Sequence, residues 1–210
     1  MNLKHGTAQA KQAIRQAIRQ TLRATTPAER GAWSAATGNV LRAHAASWAR
    51  EGGIVALFGG MATEPNLLPL LPWLLERGVR VALFAIEAES MVPFLVKDDR
   101  DILAGQLGVC EPVKAPSNRV DAAELSAVLL PGLAFSAQTG ARLGRGKGFY
   151  DKALTAVAPE CQLIGVCFQA QLWRALPCEA HDVAVQVVVT ERGWFAVEPR
   201  AARKGRDSAA

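Results

Sequence analysis

The chain has 210 residues, half of them apolar and a fifth charged, which suffices for one large α/β domain or two small ones and excludes global disorder. Lysine and arginine number 24 against 19 acids, a net charge of +5. The excess gathers in residues 1–50, where Lys4, Lys11, Arg15, Arg19, Arg23, Arg30, Arg42 and Arg50 face only Glu29, so an anionic partner (nucleotide phosphate, nucleic acid or a lipid surface) suits that end.

Residues 8–24 predict a helix. Ile14, Ile18 and Leu22 form an apolar stripe, and Lys11, Arg15, Arg19 and Arg23 recur at the same four-residue interval. Lys11 falls angularly inside the stripe. Two readings stand: a solvated basic face whose first lysine snorkels, or Lys11 and Arg15 looking across a cleft towards an anion. A second helix starts at the capping box Thr26-Pro27-Ala28-Glu29 and runs through Trp33, Val40, Leu41 and Trp48 to about Glu51, stopped by Gly52 and Gly53. Together these make an N-terminal helical pair.

Strands and helices alternate from there. Ile54 to Phe58 is a short apolar run between glycines, as in a buried parallel strand. Leu67 to Arg77 predicts a helix ending at Gly78, although Pro69 and Pro72 weaken it. Val79 to Ile86, Ala127 to Leu130 and Leu163 to Phe168 predict further strands, and Tyr150 to Val157 a helix. Val183 to Val189 and Trp194 to Val197 predict two last strands. The expected fold is α/β: an open, mostly parallel, Rossmann-like sheet with helices on both faces, forming a single domain over residues 1–200, with a flexible tail at 201–210. Ligands of such sheets bind beyond the carboxyl ends of the strands.

No apolar run approaches the roughly 18 residues of a membrane span, and the N-terminus lacks the apolar core of a secretory signal. Cys110, Cys161, Cys167 and Cys178 show no CxxC spacing and read as reduced, mostly buried thiols of a cytoplasmic protein.

One segment carries chemistry. After the strand ending at Leu130 comes Pro131-Gly132-Leu133-Ala134-Phe135, and then Arg142-Leu143-Gly144-Arg145-Gly146-Lys147-Gly148-Phe149-Tyr150-Asp151 leads into a helix. Three alternating glycines permit positive φ and let successive N–H groups converge on phosphate oxygens. Arg142, Arg145 and Lys147 add charged donors, the helix start adds a positive dipole end, and the Asp151 carboxylate suits magnesium. The spacing is neither a Walker A loop, since Gly148 follows Lys147, nor the GxGxxG dinucleotide fingerprint.

These residues closely resemble the signature of the 5-formyltetrahydrofolate cyclo-ligases, or methenyltetrahydrofolate synthetases. The likeness extends to Lys11-Gln12-Ala13-Ile14-Arg15, Glu64-Pro65-Asn66-Leu67 and Gly108-Val109-Cys110-Glu111-Pro112. It continues through Leu163 to Leu172, Leu176-Pro177, His181-Asp182 and Val189-Thr190-Glu191. The resemblance implies an ATP- and Mg2+-dependent closure of 5-formyltetrahydrofolate to 5,10-methenyltetrahydrofolate, with Arg145 and Lys147 as catalytic residues. By position, Lys11, Arg15, Arg142, Leu143, Gly144, Arg145, Gly146, Lys147, Gly148, Phe149 and Tyr150 would bind ATP. Glu64 with Arg145, Gly146, Lys147, Gly148 and Phe149 would meet the folate, and Asp151 and Asp182 would hold the metal. No nucleic acid or membrane partner is implied, and the protein is expected to act as a monomer.

Plainer readings stand beside these. Glu64 suits a helix start, Asp182 a turn, and Phe149 and Tyr150 suit either the core or a ligand ring. His181 and the five tryptophans read as structural. Ser136 and Gln186 stand where the family usually has aspartate, and Phe84 where it commonly has proline, so altered activity or a folate-binding paralogue without turnover remains an alternative. Sugar-phosphate isomerase or CoA-transferase chemistry on a similar sheet is another.

Overall fold

A computed structural model describes residues 3–87, 90–105, 108–179 and 182–198. The expected tail and His181 lie outside them. Helix α1, Leu3–Ala24, buries Ile14, Ile18 and Leu22 against Leu133, Ala134, Leu143 and Phe168, as its stripe predicts. Helix α2, Pro27–Ala43, begins at the predicted capping box: Glu29 N donates to Thr26 Oγ1 (3.2 Å) and Thr26 N to Glu29 Oε2 (2.7 Å). The helix ends eight residues earlier than expected. The chain leaves it at His44 and turns through a 3-10 segment at Ala45–Ser47. That turn buries Trp48, whose indole N–H donates to Leu41 O at 3.0 Å.

Strand β1 is Ile54–Leu57, buried throughout. A 3-10 turn at Leu68–Leu70 and helix α3, Leu71–Glu76, follow. Pro69 and Pro72 sit in the first turns of these two short pieces, where the missing N–H is harmless, so the prolines divide the expected helix rather than abolish it. Strand β2 is Arg80–Glu87 and β3 is Ser90–Val96, an antiparallel partner absent from the sequence reading. A small hairpin of β4, Ile102–Ala104, and β5, Cys110–Pro112, was also unforeseen.

Strand β6 is Leu125–Leu130, and β7, Ala134–Phe135, pairs with β8, Arg142–Leu143, as a two-stranded ribbon inside the segment read as loop. Helix α4 covers only Phe149–Ala153 before a 3-10 turn. Strand β9 is Gln162–Val166. Strand β10 starts at Val187 rather than Val183 and ends at Thr190, and β11, Gly193–Ala196, pairs with it antiparallel.

The main sheet runs β11-β10-β9-β6-β1-β2-β3. Its five inner strands are parallel, and the antiparallel pairings lie at the two edges. Alternate side chains divide two faces: Val55, Leu57, Leu83, Leu129 and Ile164 pack under α2 and α3, while Ala56, Phe84, Val128 and Leu163 pack with Tyr150 of α4 and Leu154 just after it. Among the described residues no helix is long and apolar enough to cross a membrane. The tryptophans pack as expected: Trp33 edge-on to Phe168, Trp194 stacked on His44, and Trp73 beneath the Arg42 and Arg77 guanidinium groups.

Candidate active site

Because the inner strands are parallel, their carboxyl ends open on one side of the sheet. The loop after β1 brings Glu64 there, and the β7–β8 ribbon with its glycine loop follows β6. Gly59, just past β1, has no room for a side chain: an added Cβ would lie 1.8 Å from Cys110 O, so β5 presses directly on this loop. Beyond β9, buried Gln171 accepts from Phe168 N at 2.8 Å and donates to Gly132 O (2.8 Å) and Leu133 O (3.1 Å). It fixes the root of the glycine segment to the β9 loop. Sequence reading missed this role; the signal available was a pair of glutamines, Gln169 and Gln171, a few residues past a buried strand.

The glycine loop has the expected backbone at two of its three glycines. Gly146 and Gly148 have φ of 104° and 68°, the left-handed region that a side chain strains. Arg15 Nε donates to Gly144 O at 3.0 Å, so α1 grips the loop from the side. The five-residue α4 and its Gly148 cap offer little of the helix dipole that the sequence suggested.

Among the described residues, each predicted cation but Lys147 has a hydrogen-bonded protein partner. Arg145 reaches across 81 residues to Glu64 Oε1, from Nε at 3.0 Å and from Nη2 at 2.8 Å, and the other Glu64 oxygen accepts from Met61 N. Arg142, its side chain 3% exposed, pairs through Nη2 with Asp151. The Arg142 guanidinium also lies 5.7 Å from the Tyr150 ring centre. Its Nε is buried with no hydrogen-bond partner. A buried charged donor without an acceptor is costly, which marks a place where an anion fits. Lys147 is exposed and lies 5.8 Å from the Phe149 ring.

Lys11, on α1 one turn before Arg15, is buried and lies 2.7 Å from both Glu179 Oε2 and Asp182 Oδ2. Burial opposes its charge, but the hydrogen bonds and charges of Asp182 and Glu179 outweigh that and hold its pKa above the ordinary lysine value. The snorkelling alternative therefore gives way to a buried ion pair. Burial, joined by the Glu64 charge, raises the Tyr150 hydroxyl well above the usual tyrosine pKa, so it stays protonated at neutral pH.

Leu143 turns into the core with Ile14 and Ile18, so only its backbone faces the loop. The Phe84 ring meets Tyr150 edge-on at 5.7 Å and forms one wall behind it. Ser136 is fully buried and donates to Arg174 O at 3.0 Å. Gln186 accepts from Leu163 N at 2.6 Å at the amino ends of β9 and β10, on the far side of the sheet from the glycine loop. Neither departure removes a carboxylate from the pairs just described.

Among the described residues no group of three or more His, Cys, Asp or Glu side chains gathers as a metal cage. Magnesium usually takes one or two carboxylates and completes its shell with phosphate oxygens and water. Asp151 beside Arg142 and Asp182 beside Lys11 fit that donor set, because each places a carboxylate next to a cation that suits phosphate.

The model of the 5-formyltetrahydrofolate cyclo-ligase family matches residues 7–191. A 5-formyltetrahydrofolate cyclo-ligase of Mycolicibacterium smegmatis is 33% identical over 153 residues, 70% of this chain and 78% of the relative. One from Escherichia coli is 29% identical over 140 residues, covering 65% and 76%. The NMR structure of Aquifex aeolicus 5,10-methenyltetrahydrofolate synthetase superimposes with a TM-score of 0.76 over 95% of this chain and 99% of that one, at 24% identity.

Proposed function

The chain belongs to the 5-formyltetrahydrofolate cyclo-ligase family, and on that premise we propose that it closes 5-formyltetrahydrofolate to 5,10-methenyltetrahydrofolate while ATP becomes ADP and phosphate. The observation that carries the reading is the Arg145–Glu64 contact. It joins the family's acid to its glycine–cation loop in one cleft at the carboxyl ends of the strands.

Ring closure needs N10 to form a bond to the N5-formyl carbon while the carbon–oxygen bond breaks. Oxide or hydroxide leaves badly. When bound, nucleotide supplies a γ-phosphoryl group that converts the formyl oxygen into part of a phosphate leaving group, and magnesium shields the phosphate charge. The N10 proton passes to solvent as the ring closes. What the chain contributes is position and charge. The amides of Gly144 to Gly148, with Lys147 and the unpartnered Arg142 Nε, donate to phosphate oxygens; Arg15 holds α1 against the same loop through Gly144 O, and Lys11 ties α1 to the turn of Glu179 and Asp182. Asp151 and Asp182 would hold the metal. Glu64, kept in place by Met61 N, would accept from the N–H donors of the pterin. Tyr150 stays neutral and lines the wall with Phe84. No protein nucleophile is required.

Incubating purified protein with 5-formyltetrahydrofolate and Mg-ATP tests the reading. The methenyl chromophore should accumulate with one ADP per turnover. No product across a range of pH and magnesium concentrations refutes it.

A further inference from the structure

Of the basic residues gathered in 1–50, Arg30 takes no part in the reading above, yet it is half-buried on α2. Its guanidinium sits at the carboxyl end of α1, where the last carbonyls lack helical partners. There Nη1 donates to Leu22 O at 3.3 Å, to Thr25 O, and to Thr25 Oγ1 at 3.1 Å. From the same group Nε donates to Ala62 O at 2.8 Å, across 32 residues. One turn further along α2, Ser34 Oγ donates to Arg30 O at 2.7 Å and accepts from Asn66 N at 3.1 Å. The two bonds from α2 thus fall on either side of Glu64. Between them the loop closes on itself, with Glu64 N donating to Met61 O at 2.8 Å and Met61 N to Glu64 Oε2 at 2.9 Å.

We propose that Arg30 is a positioning residue, which fixes the Glu64 carboxylate in the cleft by clamping the loop after β1 to the junction of α1 and α2. This rests on the functional reading above, in which Glu64 meets the pterin. The acid lies on a loop, so its place depends on what holds the segments flanking it. A planar guanidinium serves two neighbours at once, because its rigid fork aims Nε at the loop and Nη1 at α1. Without the fork, the Asn66 bond to Ser34 is left to tie the loop to α2, and a displacement of about 1 Å suffices to spoil a ligand contact. The nucleotide side is buffered from this change. Fraying of α1 at its last turn leaves Arg15, two turns earlier, on Gly144 O.

Steady-state kinetics test the clamp, with methenyl formation followed against 5-formyltetrahydrofolate at saturating Mg-ATP and against ATP at saturating folate. The variants are Arg30→Met, Ser34→Ala and a control on the same helix, Arg42→Met, whose guanidinium donates to Asn39 Oδ1 and to Pro69 O beyond the loop of Glu64. KM for the folate should rise about ten-fold in Arg30→Met and about three-fold in Ser34→Ala, while KM for ATP stays within about two-fold of wild type. Arg42→Met should move neither. A role confined to capping α1 would lower Tm and, through Lys11 and Arg15, shift KM for ATP at least as much as KM for the folate. That outcome overturns the proposal, as does an unmoved folate KM in Arg30→Met or an equal rise in Arg42→Met. Should Arg30→Met fail to fold, Ser34→Ala decides by the same criteria. Wild type without turnover overturns the functional reading itself, and the proposal with it.

Discussion

Arg142→Met removes the most enclosed charge of the site while keeping most of its volume. The Arg142 side chain is 3% exposed and its Asp151 partner 25%. The charge-assisted hydrogen bond contributes about 1.5–3 kcal/mol, and the contact with Tyr150 about 0.5–1 kcal/mol more. Breaking a fully buried pair from one side costs about 3–5 kcal/mol, and water reaching Asp151 pulls the value to the lower end. A loss of about 3 kcal/mol is expected, which for a domain of this size lowers Tm by about 6–12 °C. Circular dichroism during heating and urea unfolding measure both quantities. The double variant Arg142→Met/Asp151→Asn should recover at least about 1 kcal/mol relative to the sum of the single changes, because it leaves no stranded charge. If Arg142→Met lies within about 0.5 kcal/mol of wild type, the range of ordinary surface substitutions, the pair does not hold the loop and the reasoning fails.

The remaining predictions concern the loop cation and the thiols. Lys147 is exposed, so Lys147→Ala should leave Tm within about 2 °C of wild type yet lower turnover by about a thousand-fold or more, as for a cation that meets transferred phosphate; near-normal turnover would show that the phosphate lies elsewhere. Burial raises the Cys161 thiol to about 11 and Cys167 well above its ordinary value, whereas Cys178 is exposed. A thiol reagent at pH 8 should therefore modify Cys178 early and reach Cys161 and Cys167 only on unfolding, read by mass spectrometry. Keeping Cys161 neutral contributes stability that is complete below the ordinary thiol pKa of 9.0 and is lost as pH rises through about 11, so urea midpoints should decline across that alkaline window.

Local signals were legible where one element decides its own shape. The capping box of α2, the stripe of α1 and the apolar runs of β1, β6 and β9 appear in the structure close to where the sequence puts them. The failures share a cause, which is that tertiary contacts decided the outcome. Helix α2 stops because Trp48 folds back onto Leu41 O, a hydrogen bond that no helical periodicity encodes. Strand β3 escaped notice because Pro93 and the exposed Ser90 interrupt its apolar pattern, which is tolerated on an edge strand whose N–H groups need no second partner. The ribbon of β7 and β8 hid inside a segment that glycine content marks as loop, although two residues on each side pair.

The site was legible as a set of residue types and illegible as a network. Glycines, cations and carboxylates could be named from their order, but not that Arg145 lies on Glu64, Lys11 on Asp182 and Arg142 on Asp151. The separations of 81 and 171 residues follow from parallel strands that deliver distant loops to one edge, whereas the 9 residues between Arg142 and Asp151 are spanned within the glycine segment itself. The pairing has a physical consequence. Three cations gathered without acids would repel one another and destabilise the loop they are meant to shape. With an acid beside each, that repulsion is offset within the protein itself. The same arrangement explains how a chain of net charge +5 gathers these three cations at one edge with an acid beside each. The basicity that suggested nucleic acid at the N-terminus divides accordingly: Lys11 and Arg15 are committed to the site, and Arg23 remains in solvent.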